Sequence, residues 1–332
     1  MRAMDVVPLI EEASKRVYSL VQETPLVPLP PRATEAGSPI AFAKLEQLQR
    51  SGSFKLRGAT NKLMSLDEAA ASAGVITSST GNHGLGVATA AQFLGIDAEV
   101  FLSAQVSPAK RDKIKEKSAR ICLVGDDPLA AELAARAAAR DTQRTYVSPY
   151  NDPYVIAGQG TIALELERQL PDLEAIFIAT GGGGLMSGIG AWLHERHPQV
   201  EVIGCWPKNS AVLYECLKAG RIVDAPERPT LSESTAGGVE SGSITFELVR
   251  EVMHHAVLVS EEEILEAMRF GEAQGWSMEG AGGVALAAYF KEAARYARRK
   301  VVVLICGGNP SPMVLERLRA SAPASSPAQG PR

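Results

Sequence analysis

The stretch that decides the fold is Ile176–Leu193, IFIATGGGGLMSGIGAWL. An apolar run of strand length enters four consecutive glycines, Gly181 to Gly184, and leaves in a helical pattern from about Leu185. Backbone amides at such a turn are bare of side chains and backed by the positive end of a helix, so they form a cradle for a phosphate. A tight strand-to-helix turn alone accounts for two glycines but hardly for four. A dinucleotide fold would want Asp or Glu at the end of the following strand to hold the ribose. Here that strand, VEVIGCW (200–206), ends in Cys205 and Trp206, and no Lys-Ser/Thr pair of a P-loop follows the glycines. A small phosphorylated cofactor therefore fits better than NAD or ATP, and an NAD-dependent dehydrogenase, the reading from another class, lacks its ribose carboxylate.

Outward from this loop, strand-sized β-branched runs alternate with helical stretches. Upstream lie GVITS (74–78), AEVFLS (98–103), ARICLVG (119–125) and RTYVSPY (144–150); a second set runs AIFIAT (175–180), VEVIGCW, AVLVS (256–260) and KVVVLICGG (300–308). Such alternation argues for parallel α/β architecture, and two sheets are the simplest account. At the start, Asp5 to Val21 has helical spacing, and the prolines of TPLVPLP (24–30) turn the chain into an extended segment.

With 332 residues, 45% of them hydrophobic, the chain holds more than one compact unit. A net charge of −4 with interspersed signs argues against nucleic acid as a partner. The longest apolar runs fall short of the ~20 residues of a membrane helix, and the N-terminus lacks a signal-peptide core. Four cysteines (Cys122, Cys205, Cys216, Cys306) show no metal or disulfide spacing, which fits reduced thiols in a cytoplasm.

In LQRSGSFKLRGATNKLM (48–64), Lys55 falls near a helix start, where the helix dipole favours its neutral, nucleophilic form. Taken alone it reads as an ordinary solvated lysine. At TSSTGNHGLGVATAAQFLG (77–95), Ser79, Thr80, Gly81, Asn82 and His83 open an Ala-rich helix. Free amides and hydroxyls there suit a carboxylate, and Asn82 can donate to a phenolate-like oxygen; the plainer reading is a helix cap and a packed ring.

Six ordered motifs carry a resemblance: KLE (44–46), SGSFKLRGA (51–59), STGNHG (79–84), NDPYVIAGQGT (151–161), TGGGG (180–184) and CGGN (306–309). Together they resemble the fold-type II pyridoxal-phosphate (PLP) enzymes of the serine/threonine dehydratase and serine racemase branch. The resemblance implies two parallel-sheet α/β domains with the cofactor in the cleft between them. The large PLP-binding domain would comprise 1–73 and 148–320 and the small domain 74–147, with 321–332 a disordered tail. It implies further that Lys55 carries PLP as an imine, that Phe54 packs near the ring, and that Asn82 meets the 3-hydroxyl. Gly181, Gly182, Gly183, Gly184 and Leu185 would hold the phosphate, and Cys306 would stand beside the pyridine nitrogen. Ser79, Thr80, Asn82 and His83 correspond to the loop that grips the substrate carboxylate, with Thr80 as the acid/base opposite Lys55.

The implied reaction is α,β-elimination from a β-hydroxy amino acid such as L-threonine or L-serine, giving a 2-oxo acid and ammonia. Racemisation is the nearest rival. A larger hydroxyectoine-derived or hydroxyaspartate-like substrate is a further alternative, suggested by Gly237 where the family often carries an acidic or bulky residue. Metal-dependent relatives carry carboxylates where this chain has Trp206 and Val212, so no metal is expected. A homodimer is expected, as in relatives, and no C-terminal regulatory domain after CGGN.

Overall fold

The computed structural model describes residues 1–31, 40–79, 81–106, 108–126 and 128–320. The strands are β1 (Leu26–Pro28), β2 (Ile40–Leu45), β3 (Val75–Ser78), β4 (Ala98–Leu102), β5 (Arg120–Leu123), β6 (Thr145–Tyr146), β7 (Ala175–Ala179), β8 (Glu201–Pro207), β9 (His255–Val259) and β10 (Lys300–Ile305). The helices are α1 (Ala3–Arg16), α2 (Lys55–Met64), α3 (Glu68–Ala73), α4 (Asn82–Leu94), α5 (Pro108–Lys115), α6 (Pro128–Thr142), α7 (Pro153–Gln169), α8 (Gly184–Arg196), α9 (Val212–Ala219), α10 (Ile244–Val252), α11 (Glu261–Ala273), α12 (Gly280–Glu292) and α13 (Pro312–Ala320).

Two sheets form. One has the order β1-β2-β10-β7-β8-β9, the other β5-β4-β3-β6. Every pairing is parallel except that of β1 with β2. Central strands covered by helices on both faces read as unbroken apolar runs, and all five residues of β7 are buried. In the layer behind it, Phe177 meets Tyr289 and Tyr296 edge-on at 5.7 and 5.3 Å, a geometry that contributes about 0.5–1.5 kcal/mol per pair beyond burial.

The extended segment read at TPLVPLP contains β1, an antiparallel edge on an otherwise parallel sheet. β2 has no counterpart among the strand-like runs of the sequence, because its IAFAKL pattern includes Lys44, which reads as solvent-facing and is fully buried here. RTYVSPY contributes only Thr145–Tyr146 as strand. Pro149, in the same segment, has no amide to offer a ladder.

Two local devices set the helices around Lys55. Asp152 caps α7 by accepting from the amides of Tyr154 and Val155 at 2.8 and 3.0 Å, with Pro153 in the first turn, which accounts for the NDP of its motif. α2 then crosses α7 at Gly58 and Gly158. A Cβ on Gly58 would lie 2.7 Å from the Val155 carbonyl, and one on Gly158 would lie 2.5 Å from that of Arg57, so neither glycine can be replaced without parting the helices.

KLE and the arginine of SGSFKLRGA belong to one buried ion cluster. Arg57 donates to Glu46 from Nε (2.8 Å) and Nη2 (2.7 Å) and to Glu165 from Nη1 (2.6 Å), and Lys44 Nζ lies 2.6 Å from Glu165. The side chains of Lys44, Arg57, Glu46 and Glu165 are wholly shielded from solvent. Desolvation works against the charge on Arg57, but Glu46 and Glu165 more than offset it, so the guanidinium titrates above its ordinary value. The cluster ties β2, α2 and α7 together immediately behind Lys55.

Candidate active site

Three strands of the two sheets end at one place: β7 runs into the glycine loop, β10 into Cys306, and β3 into Ser79. Ligands of parallel α/β sheets bind in the crevice beyond such carboxyl ends.

Lys55 is the first residue of α2. Its Nζ donates to the Pro149 carbonyl at 2.7 Å and lies 5.2 Å from the centre of the Phe54 ring. Burial holds the amine down at about 8 against weaker support from Cys306 and Glu279, so its neutral fraction near neutrality is far larger than that of a solvated lysine. The next residue along, Tyr150, lies against the glycine loop: a Cβ on Gly182 would sit 2.6 Å from its ring, and one on Gly184 2.9 Å from its Cα. Gly183 is the N-cap of α8 with φ +87, a left-handed conformation that only glycine adopts freely. Thr245 Oγ1 braces the loop by donating to the Gly182 carbonyl at 2.6 Å. Leu185 is buried in the first turn behind it.

On the opposite wall, the Phe54 amide donates to the Cys306 carbonyl at 3.1 Å, and Ser53 forms a bridge with Gly307. Burial, helped by Glu279, pushes the Cys306 thiol well above the ordinary thiol range, so it is neutral. Asn82 opens α4 with Gly81 as N-cap and no side-chain cap; Ser79 Oγ instead accepts from the Gly81 amide at 3.2 Å. His83 turns inward, only 2% exposed, with Nε2 3.0 Å from the Val147 carbonyl. Burial first, then Lys55, lowers its pKa to about 3, so the ring is neutral. Thr80 lies outside the described residues.

Sequence reasoning missed Glu279. It precedes α12 in the wall beside Cys306, and its carboxylate accepts from Asn82 Nδ2 and Ser234 Oγ, each at 2.8 Å. One signal was available: it is the only charged residue between Gly275 and Phe290. Asn309, of the CGGN motif, reaches the same cluster. Gly237, read as opening the substrate pocket, lies on an exposed turn with φ +119, and that backbone accounts for the glycine. At the two positions compared with metal-binding carboxylates, Trp206 is buried in β8 and Val212 begins α9.

A buried, partly neutral amine, a side-chain-free loop at a helix N-terminus and a neutral thiol fit a cofactor that carries an aldehyde, a phosphate and a pyridine ring. The family of pyridoxal-phosphate dependent enzymes matches residues 17–307. The chain belongs to that family. L-threonine ammonia-lyase of Thermotoga maritima is 37% identical over 93% of this chain and 77% of its own length. The processed form of threonine deaminase isoform 2 from Solanum lycopersicum superposes with a TM-score of 0.90 at 30% identity, covering 97% of this chain and 94% of that one. Maize serine racemase superposes at 0.85 and 27% identity, over 94% and 96%. The protein is thus a fold-type II enzyme of the serine/threonine dehydratase branch, a lyase with PLP as its cofactor. Among the described residues, no helix is long and apolar enough to cross a membrane.

Proposed function

We propose that this enzyme removes water from a β-hydroxy amino acid such as L-threonine or L-serine and releases a 2-oxo acid and ammonia. The observation that carries the reading is the buried Lys55 amine, held at Pro149 beside a bare glycine loop. When bound, PLP supplies an electron sink for negative charge at the substrate Cα. Lys55 is the residue that would link to it, and its amine, when free, would take the α-proton of the substrate. Gly181 to Gly184 with Leu185 would hold the phosphate at the α8 N-terminus. Phe54 would pack beside the ring, Asn82 would donate to the 3-oxygen, and the neutral Cys306 would stand by the pyridine nitrogen. The free amides where the loop of Ser79, Thr80, Asn82 and His83 opens α4 would receive the substrate carboxylate, with the His83 ring turned away to Val147, and Thr80 would pass a proton to the departing hydroxyl. The unsaturated amino acid left by loss of water takes water up again as it releases ammonia.

The same reading places the cleft between a large domain, 1–73 with 148–320, and a small domain, 74–147, in a cytoplasmic homodimer. The test is to incubate the purified protein with PLP and L-threonine or L-serine. Equal yields of 2-oxo acid and ammonia are expected, with a visible band that borohydride abolishes and a pyridoxyl adduct on Lys55 by mass spectrometry. An adduct on another lysine overturns the assignment. The likeness to maize serine racemase favours one second reading, and formation of the D-amino acid without ammonia would establish it. If both amino acids are inert, hydroxyaspartate-like and hydroxyectoine-derived acids are the substrates to try.

A further inference from the structure

Asn82 has its amide clamped from two sides. Its Nδ2 is 2.8 Å from both oxygens of Glu279, and its Oδ1 accepts from Asn309 Nδ2 at 2.8 Å. Turning the amide over would set Nδ2 against the Asn309 donor and Oδ1 against a carboxylate, losing both interactions. The two oxygens of one carboxylate subtend too narrow an angle at Nδ2 for its two hydrogens to point one at each. They therefore share one hydrogen, and the other remains available to an acceptor in the pocket. Glu279 is itself held: Ser234 Oγ donates to it, its backbone amide donates to the Gly307 carbonyl at 3.0 Å, and a Cβ on Gly307 would lie 2.8 Å from its Oε1. It is 6% exposed, and burial raises its pKa while Asn82 and Ser234 oppose the rise.

We propose that Glu279 is a positioning residue of this active site: together with Asn309 it fixes the amide of Asn82 so that one N–H is aimed toward the cofactor before the cofactor arrives. An amide whose nitrogen is held by one partner and whose oxygen is held by another has no rotamer entropy left to lose on binding, so the contact is made ready in advance. The inference rests on the reading of Asn82 as a cofactor contact and goes beyond it by assigning the group that makes Asn82 effective.

The experiment is a double-mutant cycle on PLP affinity, measured by fluorescence titration of the cofactor-free protein. Glu279→Gln keeps the shape of the side chain but replaces one of its accepting oxygens by a donor, and Asn82→Ala removes the group through which Glu279 acts. Each single variant is expected to weaken PLP binding by about tenfold, the size of one hydrogen bond. In the Asn82→Ala background, Glu279→Gln should weaken it by no more than about twofold. An undiminished tenfold effect there means that Glu279 acts on the fold or on the cofactor directly, and overturns the proposal. If Glu279→Gln does not fold, as judged by its thermal transition, Asn309→Ala is put through the same cycle with the same two outcomes. Failure of the unaltered protein to bind PLP would instead sink the functional reading itself, so the two failures are distinct.

Discussion

Lys55 gains its chemistry from the cost of burying a charge. Removing an ammonium from water without a carboxylate partner favours the neutral amine, and this lowers its titration to about 8. The sign follows: below that pH the amine is protonated and cannot attack an aldehyde, above it the nucleophile is present. The rate at which PLP attaches to the cofactor-free protein should therefore rise with pH through about 8 and level off beyond it, as followed by growth of the visible band. Lys55→Ala should abolish both attachment and turnover yet leave the thermal transition of the cofactor-free protein nearly unchanged, because a buried amine held by a single carbonyl contributes little to the fold. The position of Lys55 at a helix start was legible from the glycine and serines before it and the apolar spacing after it. Its burial was not, since the Pro149 carbonyl that meets it comes from 94 residues further along the chain.

The glycine loop and α8 behave as one element. At Gly183 the backbone is left-handed and a Cβ would stand 3.0 Å from Leu213 and Val249. Gly183→Ala therefore carries about 1–2 kcal/mol of backbone strain, equivalent to about a tenfold weakening of PLP binding if the loop must distort to relieve it. Gly183→Asp should weaken binding further, because it adds a negative charge where the phosphate is held. Equilibrium dialysis against PLP measures both variants, and an Asp variant that binds as tightly as Ala would mean that the phosphate sits elsewhere. This element could be read from sequence because strand, turn and helix are contiguous and each has its own local signature. β2 could not: its buried Lys44 is tolerated only because Glu165, 121 residues away, is there to meet it.

At the scale of the whole molecule, the Lys44–Glu165–Arg57–Glu46 cluster joins β2, α2 and α7 with two cations and two anions and no contact with solvent. A buried cluster of this kind is a weak source of net stability while intact, but taking one member away strands charges in the interior. Arg57→Met leaves Glu46 and Glu165 facing Lys44 alone and should cost roughly 3–5 kcal/mol. Urea unfolding of the cofactor-free protein measures the loss, and a change below about 1 kcal/mol would mean that water enters and solvates the carboxylates.

The sequence by itself determined the class of the fold, the alternation of strands and helices, the bare turn at Gly181 to Gly184 and the helix start at Lys55. Each of these depends on residues adjacent in the chain, through periodicity, proline and glycine conformation, and the dipole of one helix. Tertiary structure alone decided that His83 turns away to the Val147 carbonyl, that β1 runs antiparallel, and that Asn82 is held by Glu279 from 197 residues away. Those outcomes depend on which strand ends lie side by side, and that order is fixed only when both sheets have closed their cores. The hydrogen bonds of a buried amide or carboxylate are set by whichever partners that closure brings within reach, however distant they are along the chain.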